Sequence, residues 1–201
     1  MDSKKVVRVP FEKKEVEELR AGDYIYLTGT LYSARDAAHK RLYDSILEKE
    51  ATGVALTGNE LYEKKILPLD ITGNTFYYLG PTPAKEGQVI GSAGPTTSSR
   101  MDKYTPLLLE KGLLGMIGKG KRSQAVIDSI VENGAVYMAA VGGAGALLSK
   151  CIKESSVIAY DDLGTEAIRK MEVEDFPVVV VIDSKGNNLY ETAVCDYLAN
   201  H

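Results

Sequence analysis

The sequence has little of what metal centres and disulfide-stabilised folds require. Its 201 residues include two cysteines, Cys151 and Cys195, two histidines and no tryptophan. Neither cysteine lies in a Cys-x-x-Cys pair, so we expect no zinc or iron–sulfur site built by this chain alone. Two thiols without a secretion signal are typical of a reduced, cytoplasmic protein. We expect both cysteines to be buried structural residues.

Further absences concern membranes and nucleic acids. The first ten residues contain no apolar segment of the kind found in secretory signals. No apolar run approaches the roughly 20 residues that cross a bilayer. The net charge of -4 gives no basic surplus for binding nucleic acid. With 44% hydrophobic and 26% charged residues and no internal linker, the sequence predicts one compact soluble domain over residues 1–201.

Alternating strand and helix patterns predict an α/β fold with layers around a mixed sheet. Strands are predicted at residues 6–9, 23–30, 75–79, 135–141, 155–160 and 178–182, with another buried strand ending at Lys119. Helices are predicted at residues 12–20, 123–133 and 165–171, after Gly142, and from an N-cap at Ser33 through Ala37, Ala38, Leu42 and Ile46. Residues 51–74 predict an irregular excursion, and residues 183–188 a hairpin-type turn into Leu189 and Tyr190.

The stretch from Gly94 to Lys121 concentrates polar side chains that suit small anions. A Gly-Pro turn is followed by four hydroxyl residues, 96–99, and then by Arg100; Lys119 lies between two glycines further on. Arginine recognises carboxylates with two parallel hydrogen bonds, and lysine adds a point charge. Arg35 and Asp36 fall at a predicted strand-to-helix junction, where α/β proteins place functional groups. These residues predict an anion-binding site.

Each feature also has an ordinary structural explanation. Arg35 and Arg100 could be surface arginines, His39 a packing residue, and the hydroxyls of residues 96–99 turn and helix-capping groups. Gly142-Gly-Ala-Gly resembles the start of a dinucleotide fingerprint, but its third glycine is replaced by Leu148, which favours close packing over a nucleotide site. Lys119 lacks the upstream glycine and downstream hydroxyl of a P-loop.

Three blocks of the sequence resemble a known family. These are Ala-Arg-Asp-Ala-Ala-His-Lys-Arg (34–41), Gly-Pro-Thr-Thr-Ser-Ser-Arg-Met-Asp (94–102) and Gly-Lys-Gly (118–120). Together they resemble the β subunit of the iron–sulfur hydro-lyases, the class I fumarases and L(+)-tartrate dehydratases. The likeness continues through residues 142–148 and 176–186 and covers nearly the whole chain. The Gly-Pro-Thr-Thr-x-x-Arg-Met block is highly specific, whereas the glycine-rich helix start is not.

The resemblance implies a swivelling β/β/α domain that works with an α subunit, as an α2β2 heterotetramer. It implies a [4Fe–4S] cluster bound by three cysteines of that partner and not by this chain. The implied reaction is the reversible hydration of fumarate to (S)-malate in the tricarboxylic acid cycle. In that reaction the open iron acts as a Lewis acid on the substrate.

The resemblance also implies roles for individual residues. Arg35, Arg100 and Lys119 match the positions that bind the substrate carboxylates and hydroxyl region. Thr96 matches the residue that takes the C3 proton, so Thr96 and Lys119 are the implied catalytic residues. A threonine hydroxyl is a poor base and would need a strongly cationic surrounding to act as one.

Alternative functions stay open from the sequence alone. Tartrate is the substrate alternative, because it also presents two carboxylates to the same cations. A non-catalytic module that binds small acids belongs to a different class, and a dinucleotide-dependent oxidoreductase comes third. The stretch 52–74 is longer than expected for the family.

Overall fold

The fold combines seven strands with seven α-helices in a computed structural model that describes residues 4–140 and 143–200. Of residues 194–196, 199 and 200 only the backbone is described. The strands are β1 (Val6–Val9), β2 (Tyr24–Ser33), β3 (Thr75–Tyr77), β4 (Gly115–Gly118), β5 (Val136–Ala139), β6 (Ile152–Ala159) and β7 (Ile168–Ile182). The helices are α1 (Lys13–Glu18), α2 (Asp36–Glu50), α3 (Gly58–Glu63), α4 (Thr105–Glu110), α5 (Gln124–Asn133), α6 (Gly145–Cys151) and α7 (Leu189–Asn200). Short 3-10 helices occur at Ser98–Met101 and Asp161–Glu166.

All seven strands belong to one mixed sheet that closes on itself like a barrel. The strand order is β1-β2-β3-β4-β5-β7-β6, and an additional antiparallel pairing joins β2 to β7. Neighbouring strands from β2 to β5 are parallel, whereas β7 runs antiparallel to both β2 and β5. β1 and β6 add to the outside of this ring on β2 and β7. The predicted α/β class and mixed sheet are therefore confirmed, with the layers wrapped around a closed sheet.

Alternation along the strands divides the hydrophobic residues into two cores. In β3 and its extension, Tyr77 and Leu79 belong to one buried cluster, while Phe76 and Tyr78 belong to the other. Successive side chains of a strand point to opposite faces. Since all five strands of the ring contribute to the first cluster, it fills the inside of the barrel. The second cluster lies between the outer face and helices α2, α4 and α5.

Most elements lie where the hydrophobic pattern predicts them. Helix α5 follows an N-cap at Ser123 and ends at Gly134, whose positive φ of 67° closes the last turn. β4 is buried along its length and ends just before Lys119, as predicted. The strand predicted at residues 135–141 is β5; Val141 and Gly142 lie outside the described residues. No helix formed by the described residues has both the length and the apolar character that crossing a bilayer requires.

Three local predictions are wrong. Residues 168–171 form the start of the fifteen-residue strand β7 and not a helix, because pairing with both β2 and β6 outweighs local propensity. Ser33 is not the N-cap of α2: it is the last residue of β2, and Arg35 occupies the cap position. The turn at residues 183–188 is present, but Leu189 begins helix α7.

The stretch 51–74 is more ordered than predicted. It contains helix α3, whose N-cap Thr57 and Glu60 form a reciprocal capping box. Five apolar side chains of the stretch are buried in the outer core, namely Leu56, Leu61, Leu67, Leu69 and Ile71. This part of the chain therefore contributes to the core.

Candidate functional site

The predicted site residues gather at one edge of the barrel. Arg35 follows β2, the loop containing Thr96 follows β3, and Lys119 follows β4. These three strands are adjacent and parallel, so their carboxyl ends meet at the same edge. Ligands of α/β proteins commonly bind beyond the carboxyl ends of parallel strands. The fold thus brings together three segments that lie far apart in the sequence.

Two of the predicted arginines meet at a single carboxylate. Arg100 donates from Nη2 to Oδ2 of Asp36 at 2.7 Å, and Nη2 of Arg35 lies 3.6 Å from Oδ1 of the same side chain. Asp36 is the first residue of α2, where a negative charge also suits the helix terminus. A small anion at this point would therefore meet two guanidinium groups.

Besides Asp36, the Arg35 side chain contacts Glu166 and Gly80. Its Nη2 lies 3.2 Å from Oε1 of Glu166, whose Oε2 accepts from the backbone N–H of Ala37. Its side chain also lies against Gly80, where a Cβ atom would stand 2.6 Å from Nη1. Only 18% of the Arg35 side chain is exposed, and its Nε has no hydrogen-bond partner among the residues that the structure describes. Arg35 is therefore a preorganised cation with unused donor capacity.

Thr96 and Lys119 are joined through the backbone of the loop that follows β3. The Thr96 N–H donates to the carbonyl of Tyr78, and the Ser98 N–H donates to the carbonyl of Lys119. Thr97 forms a parallel bridge with Lys119. The loop therefore acts as a short strand between the ends of β3 and β4. In the described part of the chain, the Lys119 ammonium has neither a hydrogen bond nor an ion pair, and it is exposed.

Hydrogen bonds made by hydroxyl groups on the interior side of this loop hold it in place. Tyr137 Oη lies 2.8 Å from Ser98 Oγ and donates to the carbonyl of Gly120 at 2.8 Å. The Gly120 N–H donates to Tyr190 Oη at 3.3 Å. Gly118 makes the arrangement possible, since a Cβ there would stand 2.0 Å from Ser98 Oγ. Burial raises the pKa of Tyr137 well above its ordinary value, so the phenol stays protonated and can donate.

Arg122 anchors the same region from the interior. Its fully buried side chain donates from Nε to Asp102 at 2.7 Å and from Nη2 to Thr105 at 2.9 Å. The other Asp102 oxygen accepts from the Ser123 N–H at the start of α5. The guanidinium also lies over the ring of Tyr137, 5.0 Å from its centroid. Arg122 therefore ties the loop after β4 to the segment that carries Arg100.

His39 is a packing residue, as expected, and not a surface acid or base. It is fully buried, and its ring makes edge contacts with Phe76 and Tyr78. A carbonyl can only accept, so Nδ1 donates to the carbonyl of Arg35, and Nε2 has no partner. Burial lowers the pKa of His39 to about 4. The neutral imidazole supports the turn that carries Arg35.

The glycine-rich segment serves close packing. A Cβ at Gly145 would stand 2.4 Å from Ser92 Oγ and 2.9 Å from the backbone nitrogen of Gly94. The Gly145 carbonyl accepts from the Ala93 N–H at 3.0 Å. Gly142 lies outside the described residues. The start of α6 therefore supports the Gly-Pro turn that leads to Thr96.

The described residues include no group of three or more histidine, cysteine, aspartate or glutamate side chains that could hold a metal ion. Cys151 is half-buried, and burial raises the pKa of its thiol. The side chain of Cys195 lies outside the described residues. An iron–sulfur cluster does not fit the donor set described for this chain.

Comparisons with known proteins show the family of the chain. The family described as Fumarase C-terminus matches residues 2–193. The chain belongs to this family. It is 40% identical over 176 residues to the anaerobic class I fumarate hydratase of Escherichia coli K12, covering 87% of this chain and 29% of that protein. It is 36% identical over 180 residues to fumarate hydratase 2 of Leishmania major, covering 89% of this chain and again 29% of the relative.

Another relative has nearly the length of this chain. A Methanocaldococcus jannaschii protein, provisionally named L(+)-tartrate dehydratase subunit beta, is 34% identical over 185 residues. That match covers 89% of this chain and 87% of the relative. In contrast, the chain spans less than a third of the two fumarate hydratases. The Fumarase C-terminus family therefore includes both separate subunits and parts of longer proteins.

Several residues that hold the segments of the candidate site in place were not predicted from the sequence. Ser98 was assigned with its neighbours to turn and capping roles, yet its hydroxyl is buried against Tyr137 and caps no helix. Glu166 and Arg122 gave no motif signal, although Arg122 lies only two residues after the Gly-Lys-Gly block. Only the fold reveals that they contact residues far away in the sequence.

Proposed function

We propose that this chain is the β subunit of a [4Fe–4S]-dependent fumarate hydratase, which catalyses the reversible hydration of fumarate to (S)-malate. One observation carries the proposal. Arg35 and Arg100 meet at one carboxylate, beside an unpaired Lys119 and the hydroxyl residue Thr96, at the edge of three parallel strands. Three cations carried by neighbouring segments at one edge of the sheet suit a substrate with two carboxylates.

Each residue has a proposed role. Arg35, Arg100 and Lys119 bind the substrate carboxylates and the hydroxyl region. Thr96 takes the C3 proton when malate is dehydrated. Its hydroxyl ordinarily holds its proton far above neutral pH, so nearby positive charge must stabilise the alkoxide. Lys119, whose backbone bridges that of the neighbouring Thr97, is proposed to supply this charge.

In this proposal the substrate carboxylates bind beside two carboxylates of the chain and do not displace them. Asp36 and Glu166 hold the two guanidinium groups in place before substrate arrives. The substrate carboxylates then use donors that remain accessible, including N–H groups of the half-exposed Arg100 and the ammonium of the exposed Lys119. The site thereby stays ordered without substrate, which limits the entropy lost on binding.

The chain is proposed to act only with a partner. The described residues offer no ligand set for a cluster, so an α subunit is proposed to carry it. When bound there, the cluster would supply a Lewis acid next to the substrate. We further propose an α2β2 assembly in the cytoplasm, serving the tricarboxylic acid cycle. The closed sheet with helices outside supports assignment to the swivelling β/β/α fold.

L(+)-tartrate is the second candidate substrate. The observation that favours it is the archaeal relative, which matches the chain over 87% of its own length and has a name that refers to tartrate dehydratase. Turnover of malate and of tartrate by the same reconstituted enzyme decides between them. A higher kcat/KM for tartrate would replace fumarate in the proposal.

The test is anaerobic reconstitution with the cluster-bearing subunit. We expect no activity from this chain alone, and oxygen-sensitive hydration when the partner is added. Thr96→Ala and Arg100→Ala should each lower kcat/KM by at least about 100-fold, as expected for loss of proton transfer or substrate orientation. Thr97→Ala and Lys103→Ala are matched controls in the same segment. Full activity in the first two variants would favour a non-catalytic small-acid module.

A further inference from the structure

A cavity lies outside the set of residues assigned to the proposed active site. It has a volume of about 490 Å³ and is formed by the loop of residues 81–91 and the segment of residues 157–169. Ligand pockets in proteins commonly measure about 300 to 1,000 Å³. None of Arg35, Thr96, Arg100 and Lys119 lines it. The cavity is therefore separate from the site described above.

Arg169 brings an unpaired positive charge to this cavity. Its backbone is fixed in β7 by pairing with Val157 and by a hydrogen bond from its N–H to Ser33 Oγ at 3.1 Å. In the described part of the chain, its guanidinium forms no ion pair and no hydrogen bond, and its Nε is buried. A buried donor without an acceptor destabilises the fold. The buried Nε is closed to the cavity as well as to solvent, so a ligand in the cavity would accept from the terminal N–H groups of the guanidinium.

The remaining walls are mainly apolar. Pro83, Val89 and Ile90 form one side, and Val157 lies opposite on β6. A fully hydrated inorganic ion would leave these surfaces unused, whereas an apolar body would bury them. The exposed Asp161 also lines the cavity, but its charge is screened by solvent to a greater extent than that of the half-buried Arg169.

We propose that this cavity binds a small monocarboxylate with an apolar body. Its carboxylate accepts hydrogen bonds from the Arg169 guanidinium, and its hydrocarbon part contacts the proline and β-branched side chains. The planar guanidinium suits a carboxylate because two parallel hydrogen bonds form at once. The assignment does not depend on hydratase activity.

Both residues that support Arg35 are sequence neighbours of residues that line the cavity. Glu166, which pairs with Arg35, lies between the two lining residues Thr165 and Ala167. Gly80, against which the Arg35 side chain lies, precedes the lining residue Pro81. A bound ligand would therefore contact residues that directly adjoin, along the chain, the two residues that orient Arg35.

The experiment titrates the intact chain with hexanoate and follows backbone amide resonances by NMR. Gly91 and Gly164 line the cavity and serve as reporters. We expect saturable shifts with hexanoate, and binding at least about tenfold weaker for hexan-1-ol, which keeps the apolar body without the charge. Tenfold corresponds to about 1.4 kcal/mol, close to the lower end for a charge-assisted hydrogen bond. Hexylamine should bind more weakly than hexanoate.

Variants separate this cavity from the first site. Arg169→Gln should weaken hexanoate binding at least about tenfold, and Arg169→Lys should retain part of it. Asp161→Asn should strengthen binding, and Arg100→Ala should leave it unchanged. Spectra that match the wild type away from the cavity confirm that each variant is folded. Absence of saturable shifts, equal affinity in Arg169→Gln, or loss of binding in Arg100→Ala would overturn the proposal.

Discussion

The Arg100 guanidinium donates to the Asp36 carboxylate at 2.7 Å, although the two residues are 64 positions apart in the sequence. Asp36 also lies 3.6 Å from Arg35, so one carboxylate orients both cations. The Arg100 side chain is 48% exposed. A pair so accessible to water adds less than about 1 kcal/mol to stability. The main effect of the Arg100–Asp36 pair is therefore to orient the arginine side chains and not to stabilise the fold.

Asp36→Asn tests that geometric role. We expect the free energy of unfolding to change by less than about 1 kcal/mol. In the reconstituted enzyme, KM should rise at least about tenfold, because the two guanidinium groups lose the carboxylate charge that orients them both. Steady-state kinetics and urea denaturation measure the two effects. Asp44→Asn removes an exposed acid of the same helix and is the control. An unchanged or lower KM would show that Asp36 competes with substrate and does not position the arginines.

Tyr137→Phe tests the network beneath the loop. The change removes one hydroxyl that contacts both Ser98 and Gly120. We expect a loss of about 1–3 kcal/mol in unfolding free energy, because buried polar groups lose their partner. Denaturant unfolding measures it.

Tyr190→Phe is the matched control for that change. Its hydroxyl accepts a single longer hydrogen bond, from the Gly120 N–H at 3.3 Å. We expect a smaller loss of stability and a smaller loss of activity than in Tyr137→Phe. Equal losses in the two variants would mean that the Tyr137 hydroxyl has no special role in holding the loop.

Arg122→Met tests the buried ion pair. The Arg122 side chain is 0% exposed, and its partner Asp102 is 14% exposed. Breaking a buried pair leaves an uncompensated charge, so we expect a loss of about 3–5 kcal/mol in unfolding free energy. Arg41→Met breaks an Arg–Asp pair whose side chains are 42% and 63% exposed and should have a much smaller effect. Similar losses for both would show that burial does not set the strength of the Arg122 pair.

The buried His39 predicts a pH dependence of stability. Its folded pKa of about 4 lies below the ordinary value of 6.5, because burial disfavours the charged form. The unfolded chain therefore takes up this proton first as the pH falls. The contribution is fully present above pH 6.5 and is lost progressively as the pH falls toward 4. Its slope is at most about 1.4 kcal/mol per pH unit.

His39→Gln isolates that contribution. Unfolding free energies of both proteins are measured between pH 7.5 and about 5, above the range where most carboxylates titrate. We expect the wild type to lose stability more steeply than the variant below pH 6.5. Parallel curves would mean that His39 can take up a proton in the folded protein.

The strand prediction for residues 178–182 and the helix prediction for residues 123–133 succeeded because their signals are local. An unbroken β-branched run predicts a strand, and a capped amphipathic stretch predicts a helix, whatever the rest of the fold. The helix predicted at residues 165–171 failed because pairing on both sides of β7 decided its state. One of the two partner strands, β2, lies more than 100 positions away, and local propensity does not register such distant pairing.

The sequence by itself determined the chemistry available to this protein. It supplied Arg35, Thr96, Arg100 and Lys119 in recognisable blocks, and it excluded a self-sufficient cysteine site. Only the tertiary structure decided that these groups share one edge of a closed sheet. It also decided that one arginine is buried in an ion pair, Arg122, and another left without a partner, Arg169. The physical reason is that residue type fixes charge and hydrogen-bonding capacity, whereas burial and distance arise only when distant strands pair.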